Sequence, residues 1–332
     1  MPLTFSETNV NVLFPEVWSA LHDEGIVEHS RNGPVLSFPY PTILESVNPQ
    51  EKVFFCPTRR INPFFALAEC IWMLAGLDEV EYLARYNPRM REYSDDGRVL
   101  TGSAYGYRWR NHFGRDQLLF AIEELKRNPE SRRIVLSHWD PREDLFNTSS
   151  KDLPCNLQII LRASEGRLNM TVTNRSNDLI YGSLGANSCH FGFLLEFLCA
   201  VTGLSVGSLY QIPNNLHVYT ETEIYKRILQ KKGPVYDGSD PYWKEKVLVH
   251  PLLGNGEQME DFLHDCDVFF RDPVTDFRCE FFRNIVWPME KAFIKWKSGN
   301  PSCLKELPAF SSYDWIIASR KFLGTTKLLG GA

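Results

Sequence analysis

Between residues 63 and 77 the apolar side chains Phe64, Phe65, Leu67, Ala68, Ile71, Trp72 and Leu74 recur at steps of three and four, the period of one helix face. Glu69 is set among them, and an acid on such a face is costly unless it is paired or functional. The same periodicity predicts helices over residues 12–21, 116–126 and 191–202, the second stopped by Asn128-Pro129. Strand patterns fall at residues 134–137, 157–161 and 171–173, and at His217 and Tyr219, whose alternate placement points them to one face. Residues 1–29 read as an N-terminal helix with polar ends, Ser30 to Gly33 as a turn carrying Arg31, and residues 182–187 as a glycine-bearing loop. Further on, residues 242–248, 257–270, 277–296 and 313–322 read as helices, followed by a lysine- and glycine-rich end that need not be ordered. Helix and strand segments alternate, which makes the chain α/β.

Composition narrows the function. A chain of 332 residues, 43% hydrophobic, can bury a large core, and no repeat, low-complexity tract or linker divides it. The net charge of −5 argues against broad nucleic-acid affinity, so DNA is not an expected partner and any anion site must be local. The eight cysteines lack zinc spacing, so no metal site is expected. The N-terminus lacks a charged-then-apolar signal and no apolar run approaches membrane length, which suits a reduced, cytoplasmic protein with no membrane contact.

Residues 153–219 carry the candidate chemistry. Cys155 follows Pro154 at the entry to the run Leu157, Ile159, Ile160, Leu161, and a strand start would hold a nucleophile in a fixed place. A thiolate is favoured by nearby cations. Arg175-Ser176 sets a guanidinium beside a hydroxyl, suited to gripping a phosphate, and Arg132-Arg133 repeats the guanidinium upstream. An arginine beside the cysteine would lower its pKa, so phosphate binding and nucleophile activation could share residues. Thr58-Arg59-Arg60 is a further basic cluster.

The order Tyr105-Gly106-x-x-Trp109-Arg110, Ser131-Arg132-Arg133, Pro154-Cys155, Arg175-Ser176-x-Asp178, Gly182, Asn187 and His217-x-Tyr219 resembles the thymidylate synthase superfamily, which includes the pyrimidine nucleotide hydroxymethylases. The match spans roughly residues 30–225 and fades after about residue 230. The resemblance implies a large mixed sheet packed by helices, with a catalytic core over residues 1–230 and a helical C-terminal extension over residues 231–332 packed on the same domain. It implies a cytoplasmic homodimer with shared active sites, in which Arg132 and Arg133 reach the partner's phosphate. Cys155 would add to C6 of a pyrimidine nucleoside monophosphate, with Glu69 and Tyr105 moving protons and Asp178 among the catalytic residues. Arg31, Arg175 and Ser176 would hold the phosphate, Asn187 the base, and His217 and Tyr219 a sugar hydroxyl. The one-carbon donor would be the folate 5,10-methylenetetrahydrofolate.

Three departures favour water over hydride as the final reactant, and so a hydroxymethylase over a thymidylate synthase. Residues 86–93 contain no tryptophan, Asn156 replaces a histidine after the nucleophile, and residues 328–332 are not the family's apolar closing tail. The base-reading asparagine is expected eleven residues after Arg175, where Ala186 stands; Asn187 comes one later. Overall resemblance to the hydroxymethylases gives a preference for CMP or dCMP, although a cytosine enzyme would be expected to use aspartate. Uracil and both sugars stay open, since an asparagine amide can face either base. A thymidylate synthase proper and a non-catalytic nucleotide- or RNA-binding homologue are the alternatives; the latter would be expected to have lost Cys155, Tyr105 or Glu69, and all three are present.

Overall fold

The computed structural model describes residues 3–231, 233, 240–271 and 276–325. Its strands are β1 (Leu3–Glu7), β2 (Ile26–Ser30), β3 (Gly33–Ser37), β4 (Thr42–Ser46), β5 (Ile134–Ser137), β6 (Asn156–Ser164), β7 (Arg167–Asn174), β8 (Asn177–Asp178), β9 (Ser205–Pro213) and β10 (Leu216–Tyr219). The helices are α1 (Val10–Glu24), α2 (Pro63–Ala75), α3 (Val80–Ala84), α4 (Met90–Tyr93), α5 (Tyr105–Tyr107), α6 (Gln117–Arg127), α7 (Ser188–Thr202), α8 (Glu223–Gln230), α9 (Pro241–Lys244), α10 (Met259–Arg271), α11 (Trp287–Lys297) and α12 (Asp314–Thr325).

Two sheets share the chain. A six-stranded mixed sheet runs β1-β4-β9-β7-β6-β5, with β1–β4 and β7–β9 parallel and the other neighbours antiparallel. A smaller sheet runs β2-β3-β10-β8, its last pair parallel. The larger core lies between the big sheet, α2, α6, α7 and the C-terminal helices; the smaller gathers Phe14, Trp18, Phe54, Ile180 and Val218 around α1.

The central helix α2 shows how local sequence fixes an element. Asn62 caps it by accepting from the backbone N–H groups of Phe64 and Phe65 at 3.1 and 3.3 Å, Pro63 opens it, and Gly76 closes it in the left-handed conformation at φ 69°. Its fully apolar sides are explained by its neighbours, since α7, α5 and the C-terminal helices α10, α11 and α12 all pack on it.

Several expectations are corrected. Residues 1–29 hold β1 and β2 as well as α1; β2 is exposed throughout, so it carries no alternation for a periodicity argument to find. Residues 182–187 are not a loop but part of a π-helix, Leu179–Asn187, that runs straight into α7. Its glycines serve packing rather than ligand approach: a Cβ on Gly182 would collide with Asn177 Oδ1, and one on Gly185 with the Ile180 carbonyl. The continuous stretch Leu179–Thr202 does reach membrane length, with mean hydropathy 1.4, but 83% of that window is buried inside the protein, the signature of a core helix. Helix is confined to Pro241–Lys244 within residues 242–248, and the helix expected over residues 277–296 contains a π-helical turn, Phe282–Val286, before α11. Residues 328–332 lie outside the described residues.

The C-terminal helices are tied in by buried polar contacts. The Tyr86 hydroxyl donates to Glu290 Oε2 at 2.5 Å and Arg85 to Glu290 Oε1 at 2.6 Å. The Tyr242 hydroxyl donates to Asp314 Oδ2 at 3.0 Å and accepts from the Val53 N–H at 3.1 Å. Burial pushes the Asp314 carboxyl up to about 7, against the opposing pull of Lys52, which is itself paired to Glu196 at 2.5 Å.

Candidate active site

Cys155 stands one residue before β6, held by an N–H bond from Arg175 to its carbonyl at 2.9 Å. Arg175 leaves β7 and wraps the nucleophile's approach: Nε donates to the Pro154 carbonyl at 2.9 Å, Nη2 to the Leu153 carbonyl at 3.3 Å, and Nη2 lies 3.9 Å from Cys155 Sγ. The expected depression of the thiol pKa is not the outcome. Burial pushes the Cys155 thiol up, the Arg175 and Arg31 charges pull it down, and Asp152 and Asp178 add to the rise. Of all eight cysteines, only Cys155 is part-exposed; the other seven are buried thiols.

Behind Cys155 lie three asparagines. Asn156 and Asn174 are cross-strand partners at the bulged end of β6 and β7, and Asn174 donates its side-chain amide to Asn156 Oδ1. Asn187, the last residue of the π-helix, donates to the same oxygen at 3.2 Å. All three are buried, and Asn156 Nδ2 and Asn174 Oδ1 have no hydrogen-bond partner in the structure. The π-helix explains the late asparagine. A π-turn is an α-helix with one extra residue, so the position after Ala186 still reaches the cysteine's neighbour.

The smaller sheet supplies the opposite wall. Its β8–β10 pairing sets His217 against Asp178. His217 Nδ1 lies 2.8 Å from Asn215 Oδ1 and 3.5 Å from Ser176 Oγ, and its ring meets Tyr219 edge-on at 5.1 Å. Burial holds His217 below its ordinary value. Asp178 caps the π-helix at the Tyr181 N–H, and burial pushes its carboxyl up to about 6, with Arg59 opposing. The Arg59 guanidinium covers the Tyr181 ring at 5.0 Å and donates to the Ile180 carbonyl at 2.9 Å.

Tyr105 is buried, and its hydroxyl pKa is raised by desolvation and by the charges of Cys155 and Asp152. Asp152, which the sequence did not single out, accepts from the N–H groups of Gly102 at 2.8 Å and Ser103 at 2.9 Å; a Cβ on Gly102 would collide with the Asp152 backbone, so glycine is required there. Glu69 projects from α2 to 3.4 Å from His190 Nε2. Arg31, in the β2–β3 turn, reaches the Ser150 carbonyl at 3.3 Å and acts on Cys155 through its charge.

Thus Cys155, Arg31, Arg175, Ser176, Asn187, Asp178, His217, Tyr219 and Tyr105 form one group, linked to Cys155, its neighbour Asn156 or one another by hydrogen bonds, strand pairing, ring contact or charge. Glu69 joins it through α2, whose Met73 backbone touches Gly106, next to Tyr105. Arg132 and Arg133 do not join it: both are exposed at the head of the edge strand β5, with Arg133 3.5 Å from Glu124. Tyr86, in the tryptophan-free segment, docks α11 rather than joining this group, while Tyr93 is exposed. Asp152 left no local signal, but His190 follows Asn187 by three residues on one helix and could have been found by extending the helix backwards from Phe191.

The group sets a part-exposed cysteine beside a guanidinium. The chain matches the family described as thymidylate synthase over residues 16–234. It is 42% identical over 332 residues to a deoxyuridylate hydroxymethyltransferase of Pseudomonas phage M6, covering 95% of this chain and 92% of that one. A protein of the same name from Bacillus phage SP01 is 39% identical over 228 residues, 66% of this chain and 59% of that one. The crystal structure of thymidylate synthase from T4 phage shares the fold, with TM-score 0.54 and 21% identity over 67% of this chain and 80% of that one. This chain belongs to the thymidylate synthase family. It is a one-carbon transferase acting on a pyrimidine nucleotide, with 5,10-methylenetetrahydrofolate as co-substrate.

Proposed function

We propose that this protein hydroxymethylates C5 of deoxyuridine 5′-monophosphate. The carrying observation is Asn187, a neutral amide anchored on Asn156 beside Cys155. A neutral amide pairs with uracil by accepting from N3–H and donating to O4. Aspartate, the side chain expected of a cytosine enzyme, is absent, and the two relatives above carry the deoxyuridylate name. Uracil therefore replaces the cytosine preference drawn from the sequence.

In this reading Arg175, Ser176 and Arg31 hold the phosphate, and His217 and Tyr219 bond the 3′-hydroxyl. The Cys155 thiolate adds to C6, making C5 nucleophilic. Arg175 lies closest in charge to the sulfur, and the thiolate it favours is needed only while C6 is attacked. The folate supplies the one-carbon unit. Its flat ring and carboxylates suit the exposed faces of Tyr181 and Tyr93 and the Arg59 guanidinium, with Asp178 beside them. Tyr105 and Glu69 help move the C5 proton away, and water completes the hydroxymethyl group. Arg132 and Arg133, exposed on an edge strand, complete the phosphate site of a second subunit, so the working unit is a homodimer. Residues 231–332 serve as an extension of this catalytic core.

The test is tritium release from C5-labelled dUMP, dCMP, UMP and CMP with methylenetetrahydrofolate, followed by product mass. Release from dUMP with a hydroxymethyl product is expected. A methyl product, or release confined to a cytosine nucleotide, would refute the reading. Cys155→Ala should abolish release while still binding dUMP.

A further inference from the structure

His190 is used by none of the steps above. Its ring is buried, 6% exposed, and neither nitrogen has a hydrogen-bond partner among the described residues; Glu69 approaches to 3.4 Å from Nε2. An imidazole buried that way is costly unless it has work to do. The packed histidine nearby, His138, is a contrast: Trp109 Nε1 donates to its Nε2 at 2.8 Å, and burial with the Arg108 charge holds it neutral, down to about 3. At His190 burial pulls the same way, but the Glu69 carboxylate opposes it and leaves the ring more basic than usual.

Its position follows from the helix phase. Asn187 and His190 are three residues apart on one continuous helix, so they share a face. Asn187 on that face reaches Asn156, next to the nucleophile. Phe191, the next residue, has its ring 6.4 Å from that of Tyr105. The histidine therefore lies on the helix face that carries Asn187, with Glu69 beside it, one residue before the phenylalanine that packs against Tyr105.

We propose that His190, oriented by Glu69, is the base that activates the water which completes the hydroxymethyl group. The inference rests on the hydroxymethylation reading and adds to it. After the folate leaves, the nucleotide carries an exocyclic C5=CH2 group conjugated to the C4 carbonyl, with Cys155 bonded to C6. Water oxygen bonds to the methylene carbon and its proton passes to His190. The C5=CH2 electron pair moves to C5–C4 and leaves an enolate oxygen at C4. The enolate then re-forms the carbonyl and the C5=C6 bond while the C6–S bond breaks, and the departing sulfur takes the proton back from His190. One water is consumed and nothing is oxidised or reduced. A carboxylate on one imidazole nitrogen fixes the tautomer and raises the basicity of the other.

The test separates early chemistry from the water step. Wild type and His190→Gln are given C5-tritiated dUMP and methylenetetrahydrofolate, with and without 2-mercaptoethanol, which captures an exocyclic methylene as a thioether. In a single turnover, or in steady state with added thiol, the variant is expected to release tritium within about threefold of wild type, while hydroxymethyl product falls by about 10²-fold or more and the thioether accumulates; without thiol its release stops at about one equivalent per site. His190→Ala should regain product on adding imidazole, which a packing defect would not do. Loss of tritium release in His190→Gln in a single turnover and with added thiol, with no imidazole rescue of His190→Ala, overturns the proposal; so does unchanged product. If wild type itself releases no tritium from dUMP or yields no hydroxymethyl product, the functional reading has failed, an outcome distinct from failure of His190 alone.

Discussion

Asn187 donates its side-chain amide to the Asn156 carbonyl oxygen at 3.2 Å, joining the end of a π-helix to the residue that follows the nucleophile. Asn174 donates to the same oxygen from the neighbouring strand. Asn187 and Asn174 thus converge on Asn156, the residue after the cysteine.

Replacing Asn187 with aspartate should reverse base preference. An ionised aspartate only accepts, so it loses the bond to uracil O4, and when protonated it can donate to cytosine N3. Turnover of dUMP should fall by about 10²-fold, at about 1–3 kcal/mol for a buried polar group left unmatched. Turnover of dCMP should rise relative to it, as read by competing the two labelled nucleotides. Asn156→Ala should narrow the ratio without inverting it, because it loosens the amide rather than changing its chemistry.

Arg175→Ala should weaken nucleotide binding, raising KM for dUMP. It should also push the Cys155 thiol still higher, since Arg175 is the largest charge pulling it down. Rates of alkylation by iodoacetamide, followed against pH, would shift to higher pH in the variant. An unchanged profile would mean that the guanidinium does not act on the sulfur.

Shared sites can be tested by mixing inactive subunits. Cys155→Ala and the double variant Arg132→Ala/Arg133→Ala should each be inactive. Refolded together in equal amounts, they should recover about a quarter of wild-type activity, because one site in each mixed dimer is complete. Failure to recover activity would place both arginines outside the partner's site.

Asp314 predicts a pH dependence of stability. Its carboxyl is pushed up to about 7 by burial, above the ordinary 3.8, so between those values the folded protein holds a proton that the unfolded chain releases. Stability from this group is therefore full below about pH 4 and is lost as pH rises toward 7. Asp314→Asn keeps the polar contacts with Tyr242 and removes the ionisation, so the fall in Tm between about pH 5 and 7 should become shallower.

The family was legible because the motifs at residues 155, 175, 176, 178, 187, 217 and 219 stand in a fixed order. The helix at residues 63–77 was legible from its own period, which survived because its caps are local. The strands β1 to β4 were not: β2 is exposed on every residue, and β1 and β4 owe their existence to pairing across a chain separation that no short pattern records. Gly182 and Gly185 suggested a loop, whereas tertiary contacts with Asn177 and Ile180 use their missing side chains to let a helix form. The thiol was expected to be acidified by its arginine; burial outweighs that charge, and burial is invisible until the chain is folded.

The extra residue in Leu179–Asn187 has a further consequence for descent. Each residue turns a helix by about 100°, so inserting one rotates everything after it together. Asn187 and His190 follow the insertion on a single rod, and neither can change phase without the other. On the roles proposed for them, choice of base and handling of water form one heritable trait: a lineage that lost the insertion would lose both at a stroke.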